Sequence, residues 1–263
     1  MEKYIKIINK IIAKKKYFTI KEEINISIND PLKLIIKLNE KFQQINKTKI
    51  NVTLDITSFP RHELLIILYF LRHSPLVKKI RCLYVSPTSY GDWLSQGYQG
   101  SILVPFFDGP STFEKKMALF VLTGFEVDRV NKLVQDTEPS AVFLAQTEPG
   151  TAPEFMKKNL SSISEMTALT KNGGNIFKIP GNNPFKCRDR ILQLLKDQSE
   201  KYDFLVAPIG PKLGVLGLYL AYEECPIFRI IYPLTILYNS ENYSKGCREI
   251  YEIVLMNDSI ENK

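Results

Sequence analysis

The stretch of residues 205–221 has the sequence LVAPIGPKLGVLGLYLA and carries the clearest indication of the fold class. It begins with an apolar run, passes through the turn Gly210-Pro211-Lys212, and ends in an apolar segment long enough for a helix. Proline is favoured in the first turn of a helix, where its missing N–H group is not needed. The stretch therefore predicts a buried strand followed by a helix, the unit from which parallel sheets are built.

The same layout occurs earlier in the chain, in LDITSFPRHELLIILYFL, residues 54–71. Its Pro60-Arg61 pair precedes Pro211-Lys212 by 151 residues. Each half then continues with an apolar run, a tyrosine and a Ser-x-Gly triplet, which lies at residues 95–97 and 244–246. Features repeated in the same order at a near-constant offset indicate two related halves. We expect these halves to face each other across one sheet.

From residue 50 onward, short apolar runs alternate with helical segments. The runs are residues 50–56, 80–85, 117–123, 141–145, 175–179, 204–209 and 227–232. They are nearly continuous in hydrophobicity, which is typical of strands buried on both faces of a parallel sheet. We therefore predict an α/β, Rossmann-like body, with a mainly parallel sheet of six or seven strands and helices on both faces. Ligands of such sheets bind in the strand-to-helix turns at the carboxyl ends of the strands.

The positive charge of the chain is concentrated near its N-terminus. The chain has 263 residues and a net charge of +7, and residues 1–50 hold 12 lysines and 5 acidic residues. Helical patterns at residues 3–16 and 32–45 flank an extended pattern at residues 17–28. We divide the chain into a basic N-terminal helical appendage, residues 1–49, and a Rossmann-like body, residues 50–263. The appendage is interpreted as a solvated amphipathic helix, with nucleic-acid binding through its lysines and a winged-helix unit as alternatives.

The composition excludes several classes of protein. Hydrophobic residues make up 44% and charged residues 24%, which are globular values. No apolar run is long enough to span a bilayer and no secretion signal is present, so we expect a cytoplasmic protein without a membrane segment. Its four cysteines, residues 82, 187, 225 and 247, form no CxxC pair. We therefore expect reduced thiols and no zinc site.

The two Pro-basic turns predict an anion site. Free N–H groups and the helix dipole attract an anion to the N-terminus of a helix. A basic side chain in that first turn is unfavourable by itself, and both Arg61 and Lys212 occupy such a position. A bound phosphate or carboxylate would resolve this conflict. The alternative is that both side chains extend into solvent or pair with a nearby acid such as Glu63.

A third corner, at residues 123–126, follows another apolar run. It has the sequence Thr-Gly-Phe-Glu, and its glycine would let the backbone approach a ligand closely. The dinucleotide pattern GxGxxG and the Walker A pattern are both absent, and we predict no cofactor. Asp55, Glu126, Asp128 and Glu148 are the alternative candidates for a Mg²⁺ site, although carboxylates at strand ends are common without metal and we predict none.

These corners carry a resemblance to a known group. The stretch LFVLTGFEVDRV with SAVFLAQTEPG is similar to the opening strand–helix–strand of CRISPR-associated Rossmann-fold (CARF) ligand-binding domains. The two Pro-basic units resemble the later strand–turn–helix–strand of that group, here in a rearranged or duplicated order. The resemblance implies binding of cyclic oligonucleotides or related nucleotide signals in prokaryotic defence systems. Its motifs correspond to residues 124–126 and 210–212.

Two functional hypotheses follow. In the first, the body is a sensor that holds a phosphate-bearing ligand, such as a cyclic oligonucleotide, and acts through a protein partner or as a homo-oligomer. In the second, it is a nucleotide-processing hydrolase or transferase that uses the carboxylates of Asp55, Glu126 and Glu148 with Tyr90. A non-catalytic subunit of a larger complex is a third possibility. The predicted ligand-binding residues are Asp55, Ser58, Arg61, Tyr90, Gly124, Phe125, Glu126, Gly210, Pro211 and Lys212.

Overall fold

The computed structural model describes residues 31–45, 49–112, 114–148 and 153–257. The chain divides into two compact units, Met1–Asn46 and Lys47–Lys263. In the first unit, helix α1 (Pro31–Gln43) forms at the position that the Asp-Pro start signal predicts. The helix and the extended segment predicted for residues 3–28 lie outside the described residues.

The second unit is built around a six-stranded, mainly parallel sheet. Its strands are β5 Gly100–Asp108, β6 Lys116–Leu122, β7 Ala141–Thr147, β8 Ile176–Ile179, β9 Tyr202–Pro208 and β10 Phe228–Leu234. They lie in the order β5-β10-β9-β6-β7-β8, and only the edge pair β5–β10 is antiparallel. Every residue of β7 and β9 is buried, as the continuous apolar runs predict.

Helices cover this sheet on both faces, which confirms the predicted fold class. Helices α3 (Val127–Thr137) and α4 (Pro153–Met166) pack on one face, where Val130 and Ile163 join a cluster with Leu119 and Leu205 of the strands. Helices α5 (Pro184–Lys196) and α6 (Lys212–Glu224) pack together on the other face. There the α-carbon of Gly217 lies so close to Cys187 that a Cβ atom would meet its side chain at 2.7 Å.

The first two predicted strands belong to a second sheet, so the expectation of one sheet across residues 50–235 is wrong. Strands β1 (Ile50–Asp55) and β2 (Val77–Ser86) are parallel and joined by helix α2 (Arg61–His73). Strand β13 (Glu249–Met256) completes this sheet antiparallel to β2. The apolar runs identify seven strands but not β5 or β13, and they carry no information on which strands are neighbours.

The two halves exchange their last strands. Each half has the order strand, helix, strand, two short strands and a final strand; the short strands are β3 Ser89–Tyr90, β4 Ser95–Gln96, β11 Leu237–Tyr238 and β12 Ser244–Lys245. The last strand of the first half, β5, pairs with β10 of the second, and the last strand of the second, β13, pairs with β2 of the first. The short strands pair between the halves as well, β4 with β11 and β3 with β12.

Backbone hydrogen bonds between the halves are reciprocal, as a two-fold relation requires. The Gln99 amide donates to the Leu234 carbonyl over 3.1 Å, and the Arg248 amide donates to the Ser86 carbonyl over 2.9 Å. Arg248 lies 149 residues after Gln99, and Leu234 lies 148 residues after Ser86. The repeat in the sequence thus corresponds to two halves that face each other. They are joined by strands exchanged between two sheets, and they do not lie on either side of a single sheet.

None of the helices in the described residues is long and apolar enough to cross a membrane.

Candidate functional site

The two Pro-basic corners meet where the halves face each other. The Arg61 guanidinium donates from Nε to the Gly210 carbonyl over 2.6 Å, and the Lys212 ammonium donates to the Phe59 carbonyl. Each cation therefore reaches the backbone of the opposite corner. Arg61 has five N–H donors and Lys212 has three, so these two contacts leave further donors at the junction.

Two helix N-termini converge at the same place. Pro60 and Pro211 occupy the N-cap positions of α2 and α6, and neither helix has a side-chain cap. The Leu64 and Val215 amides make the first intrahelical bonds, back to the two prolines. The earlier amides of each helix carry the partial positive charge of its dipole.

In the part of the chain that the structure describes, neither cation pairs with a carboxylate. Within the described residues, no salt bridge involves Arg61 or Lys212. Arg61 is buried, with 8% of its surface exposed, which contradicts the alternative that it extends into solvent. Lys212 is partly buried, and the predicted alternative partner, Glu63, lies near it without forming an ion pair. The junction therefore holds two cations without a paired acid.

Burial and the proximity of these charged groups change the pKa values of the side chains at the junction. Burial, followed by repulsion from Arg61, lowers the pKa of the Lys212 ammonium from 10.5 to about 7, although Glu63 and Asp55 oppose the change. Burial raises the pKa of the Glu63 carboxyl to about 6, partly offset by Lys212. Burial alone would lower the pKa of Arg61, but Tyr243, Tyr232 and Glu126 raise it overall, so Arg61 stays charged.

A cavity of about 50 Å³ opens at the junction. Both cations line it, with three tyrosines and residues from all three predicted corners; the lining is Thr57, Arg61, Tyr84, Val85, Pro87, Tyr90, Leu94, Gly124, Phe125, Pro211, Lys212, Tyr243 and Ser244. The Tyr90 ring stands edge-on to Phe125 at 5.2 Å and to Tyr243 at 6.4 Å between centroids. Since one water needs at least about 10–15 Å³, the space suits a group of about four or five heavy atoms, such as a phosphate.

A larger cleft of about 590 Å³ adjoins this cavity. One wall is the segment around β4, and the other is formed by the start of α3 and by α4. The lining residues are Gly91, Asp92, Trp93, Leu94, Ser95, Gln96, Gly97, Tyr98, Phe125, Glu126, Val127, Asp128, Arg129, Asn131, Lys132, Lys158, Ser162 and Glu165. Leu94 and Phe125 line both spaces, so the cavity and the cleft share a wall.

A buried ion pair on the α3 wall of the cleft is linked to the β4 wall through the Ser95 hydroxyl. The Glu126 carboxylate accepts from the Ser95 hydroxyl on one oxygen and from the Arg129 guanidinium over 2.7 Å on the other. Arg129 also donates to the Pro233 carbonyl, and its guanidinium lies 5.2 Å from the centre of the Tyr232 ring. Both oxygens of Glu126 are therefore engaged, which gives this residue a structural position in the cleft wall.

Two of the predicted site residues lie apart from these spaces. Asp55 is exposed, and its carboxylate accepts from the Thr57 amide over 2.9 Å in a local turn. Ser58 is also exposed, and neither residue lines the cavity or the cleft. Gly210 contributes its carbonyl to Arg61 rather than a lining surface. The other seven predicted residues line one or both spaces.

Gly124 lines the cavity, as predicted for a site residue, and it also has a role in packing. A Cβ atom at this position would meet the Ile209 carbonyl oxygen at 2.4 Å. The glycine thus lets the corners after the adjacent strands β6 and β9 approach each other, and this packing accounts for it without a ligand.

The carboxylates considered for Mg²⁺ or for catalysis do not form a cluster. No group of three or more His, Cys, Asp or Glu side chains within the described part of the chain could hold a metal ion. Glu148 pairs with Lys178 over 2.7 Å at the surface, Asp55 belongs to its own turn, and Glu126 is held by Arg129.

Several lining residues carried no signal in the sequence. Trp93 lies in the connection between β3 and β4, and Lys158, Ser162 and Glu165 lie on α4, which no repeat or corner motif marks. Tyr243 is the exception, because it stands directly before the second Ser-x-Gly triplet. The others come together only because α4 packs beside the corner after β6, where Asn159 donates to the Thr123 carbonyl over 3.3 Å.

Comparison with known proteins returned no match, either to a protein-family model or to a curated protein. The function is therefore inferred from the geometry of the junction and the cleft.

Proposed function

We propose that the chain is a binding protein for a small phosphate-bearing ligand, with the phosphate held at the junction of the two halves. One observation carries the proposal. Arg61 and Lys212, each in the first turn of an uncapped helix, line one phosphate-sized cavity and pair with no carboxylate in the described structure.

An anion would remove an unfavourable arrangement. The two side-chain cations repel each other, and each also stands in the positive field of a helix N-terminus. A bound phosphate accepts from both cations and from free helix amides, and each charge-assisted contact contributes about 1.5–3 kcal/mol. Loss of one such contact corresponds to about a 10- to 100-fold weaker affinity.

Isothermal titration with inorganic phosphate tests the proposal directly. We expect binding by the unmodified chain, and a 10- to 100-fold weaker affinity in Lys212→Met, by the same estimate of about 1.5–3 kcal/mol. Lys186→Met is the matched control, because Lys186 also lies in the first turn of a helix but is exposed. Equal binding by the three folded proteins, or no binding at all, would overturn the proposal and favour a non-catalytic subunit.

A sensor role in prokaryotic defence is part of the same proposal. Its support is the resemblance of residues 124–126 and 210–212 to CARF domains, which suggests a cyclic oligonucleotide as ligand. A protein partner or a second copy would then receive the signal, and the lysine-rich residues 1–49 provide positive charge for an acidic partner or nucleic acid. Cyclic oligonucleotides in the same titration test this role, which fails if none of them binds.

A further inference from the structure

The cleft beside the junction differs from the junction in charge. Apart from the closed Glu126–Arg129 pair, its charged lining residues are three carboxylates and two lysines: Asp92, Asp128, Glu165, Lys132 and Lys158. Asp92, Asp128 and Glu165 are all exposed at its surface. A second or third phosphate in this space would meet a surface that is slightly negative in sum. Hydroxyl and amino groups, which donate hydrogen bonds to carboxylates, would be favoured there.

The cleft also offers aromatic surface. Trp93, Tyr98 and Phe125 line it, and Trp93 is partly buried. The backbone of Trp93 is held by a hydrogen bond, because its carbonyl accepts from the Asn239 side chain over 3.0 Å. Aromatic side chains stack on planar rings, and stacking on a nucleobase contributes about 1–3 kcal/mol. The volume of about 590 Å³ lies within the range of sites for small molecules.

From these features we infer that the ligand is a nucleoside monophosphate, with its single phosphate at Arg61 and Lys212 and its nucleoside in the cleft. This inference rests on the phosphate site of the proposed function, and it assigns a nucleoside monophosphate in place of the cyclic oligonucleotide that the resemblance suggests. Leu94 and Phe125 line both spaces, so the cavity and the cleft are neighbours, and a ligand that fills both must pass beside these two side chains. The sugar hydroxyls and the amino groups of the base meet the carboxylates, and the base meets the aromatic rings.

The position of Trp93 provides a selective test, because the chain has a single tryptophan. Inorganic phosphate, a nucleoside, and the corresponding mono- and triphosphates are titrated separately while tryptophan emission is recorded, with correction for absorption by the base. We expect the monophosphate to change the emission and to bind at least about tenfold more tightly than inorganic phosphate, equivalent to one stacking contact. Inorganic phosphate should bind without changing the emission, and the triphosphate should bind more weakly than the monophosphate.

A double substitution tests the charge argument. Asp128→Asn with Glu165→Gln removes two negative charges from exposed positions that hold no part of the core. The triphosphate should then bind about as tightly as the monophosphate. The same substitutions at Asp189 and Glu200, which do not line the cleft, should leave the preference unchanged.

The outcomes separate this inference from the proposed function. If inorganic phosphate binds through Lys212 but the monophosphate binds no more tightly and leaves the emission unchanged, the nucleoside assignment is wrong and the phosphate site stands. Tighter binding of the triphosphate or of a cyclic dinucleotide by the unmodified chain also overturns the assignment. If no probe shows binding that depends on Lys212, both proposals are wrong.

Discussion

Replacement of Lys212 by methionine should stabilise the protein at and below neutral pH. The ammonium is partly buried beside Arg61, and its pKa is lowered from 10.5 to about 7 by burial and by that neighbour. Methionine preserves much of the length and apolar volume of the side chain and removes its charge.

The magnitude and the pH window follow from the two pKa values. Between about pH 7 and 10.5 the unfolded chain binds a proton at Lys212 that the folded chain does not, so the stability of the unmodified protein rises with pH. Below pH 7 the whole penalty is present, at most about 5 kcal/mol by the usual conversion of 1.36 kcal/mol per pKa unit. Partial exposure reduces it, and the lost hydrogen bond to Phe59 costs about 1 kcal/mol, so we expect a net gain of about 1–3 kcal/mol.

Urea unfolding of both proteins at several pH values, in chloride buffers without phosphate, measures this difference. The stability gain of Lys212→Met should be largest at pH 6 and should shrink steadily above pH 7. Lys186→Met, at an exposed position, should stay within about 0.5 kcal/mol of the unmodified protein at every pH. A Lys212→Met variant that is less stable at pH 6, or a difference independent of pH between 6 and 9, would show that the Lys212 charge does not destabilise the folded protein.

Three further predictions concern the junction and its frame. Sulfate keeps its charge between pH 6 and 9. Its affinity should therefore fall by up to about tenfold per pH unit above pH 7, as Lys212 loses its proton. Calorimetry at several pH values would show an affinity independent of pH if Lys212 is not involved. Gly97→Ala and Gly246→Ala should each cost about 1–2 kcal/mol in urea unfolding, because both residues have positive φ, +74° and +71°; a cost at only one of them would contradict their equivalence. Glu126→Gln should destabilise the protein by about 3 kcal/mol, because it leaves the buried Arg129 without its counter-charge, and a loss below about 0.5 kcal/mol would show that the pair is not structural.

The fold class could be predicted because burial on both faces leaves a direct trace in the sequence. The runs that became β6, β7 and β9 are apolar throughout, and the helices between them have the expected length. Strand pairing could not be predicted. A strand is equally apolar whether it pairs with a parallel strand of its own half or with a strand exchanged from the other half. Strand β13 was missed for a related reason: it alternates, with Ile250 and Val254 exposed and Ile253 and Leu255 buried.

The site was predictable only where the N-terminus of a helix itself supplies the anion-binding groups. Pro60-Arg61 and Pro211-Lys212 each place a basic side chain at the start of a helix, where the helix dipole disfavours it. This pattern can be recognised in a single sequence. The cleft was not visible, because Trp93 and Glu165 come from a short connection and from a helix face whose positions depend on tertiary packing. Asp55 and Ser58 show the opposite error: they lie at or just after a strand end, as predicted, but they line neither space.

The most direct test of an anion site between the two halves is a nuclear magnetic resonance titration of the lysine side chains. With lysine labelled at the ε-carbon, the free protein should show one resonance, lost in Lys212→Met, that titrates with a pKa near 7. Addition of phosphate should raise that pKa and move this resonance more than those of the exposed lysines. If the Lys212 resonance is unaffected by phosphate while the protein stays folded, no anion binds between Arg61 and Lys212, and the proposed phosphate site is wrong.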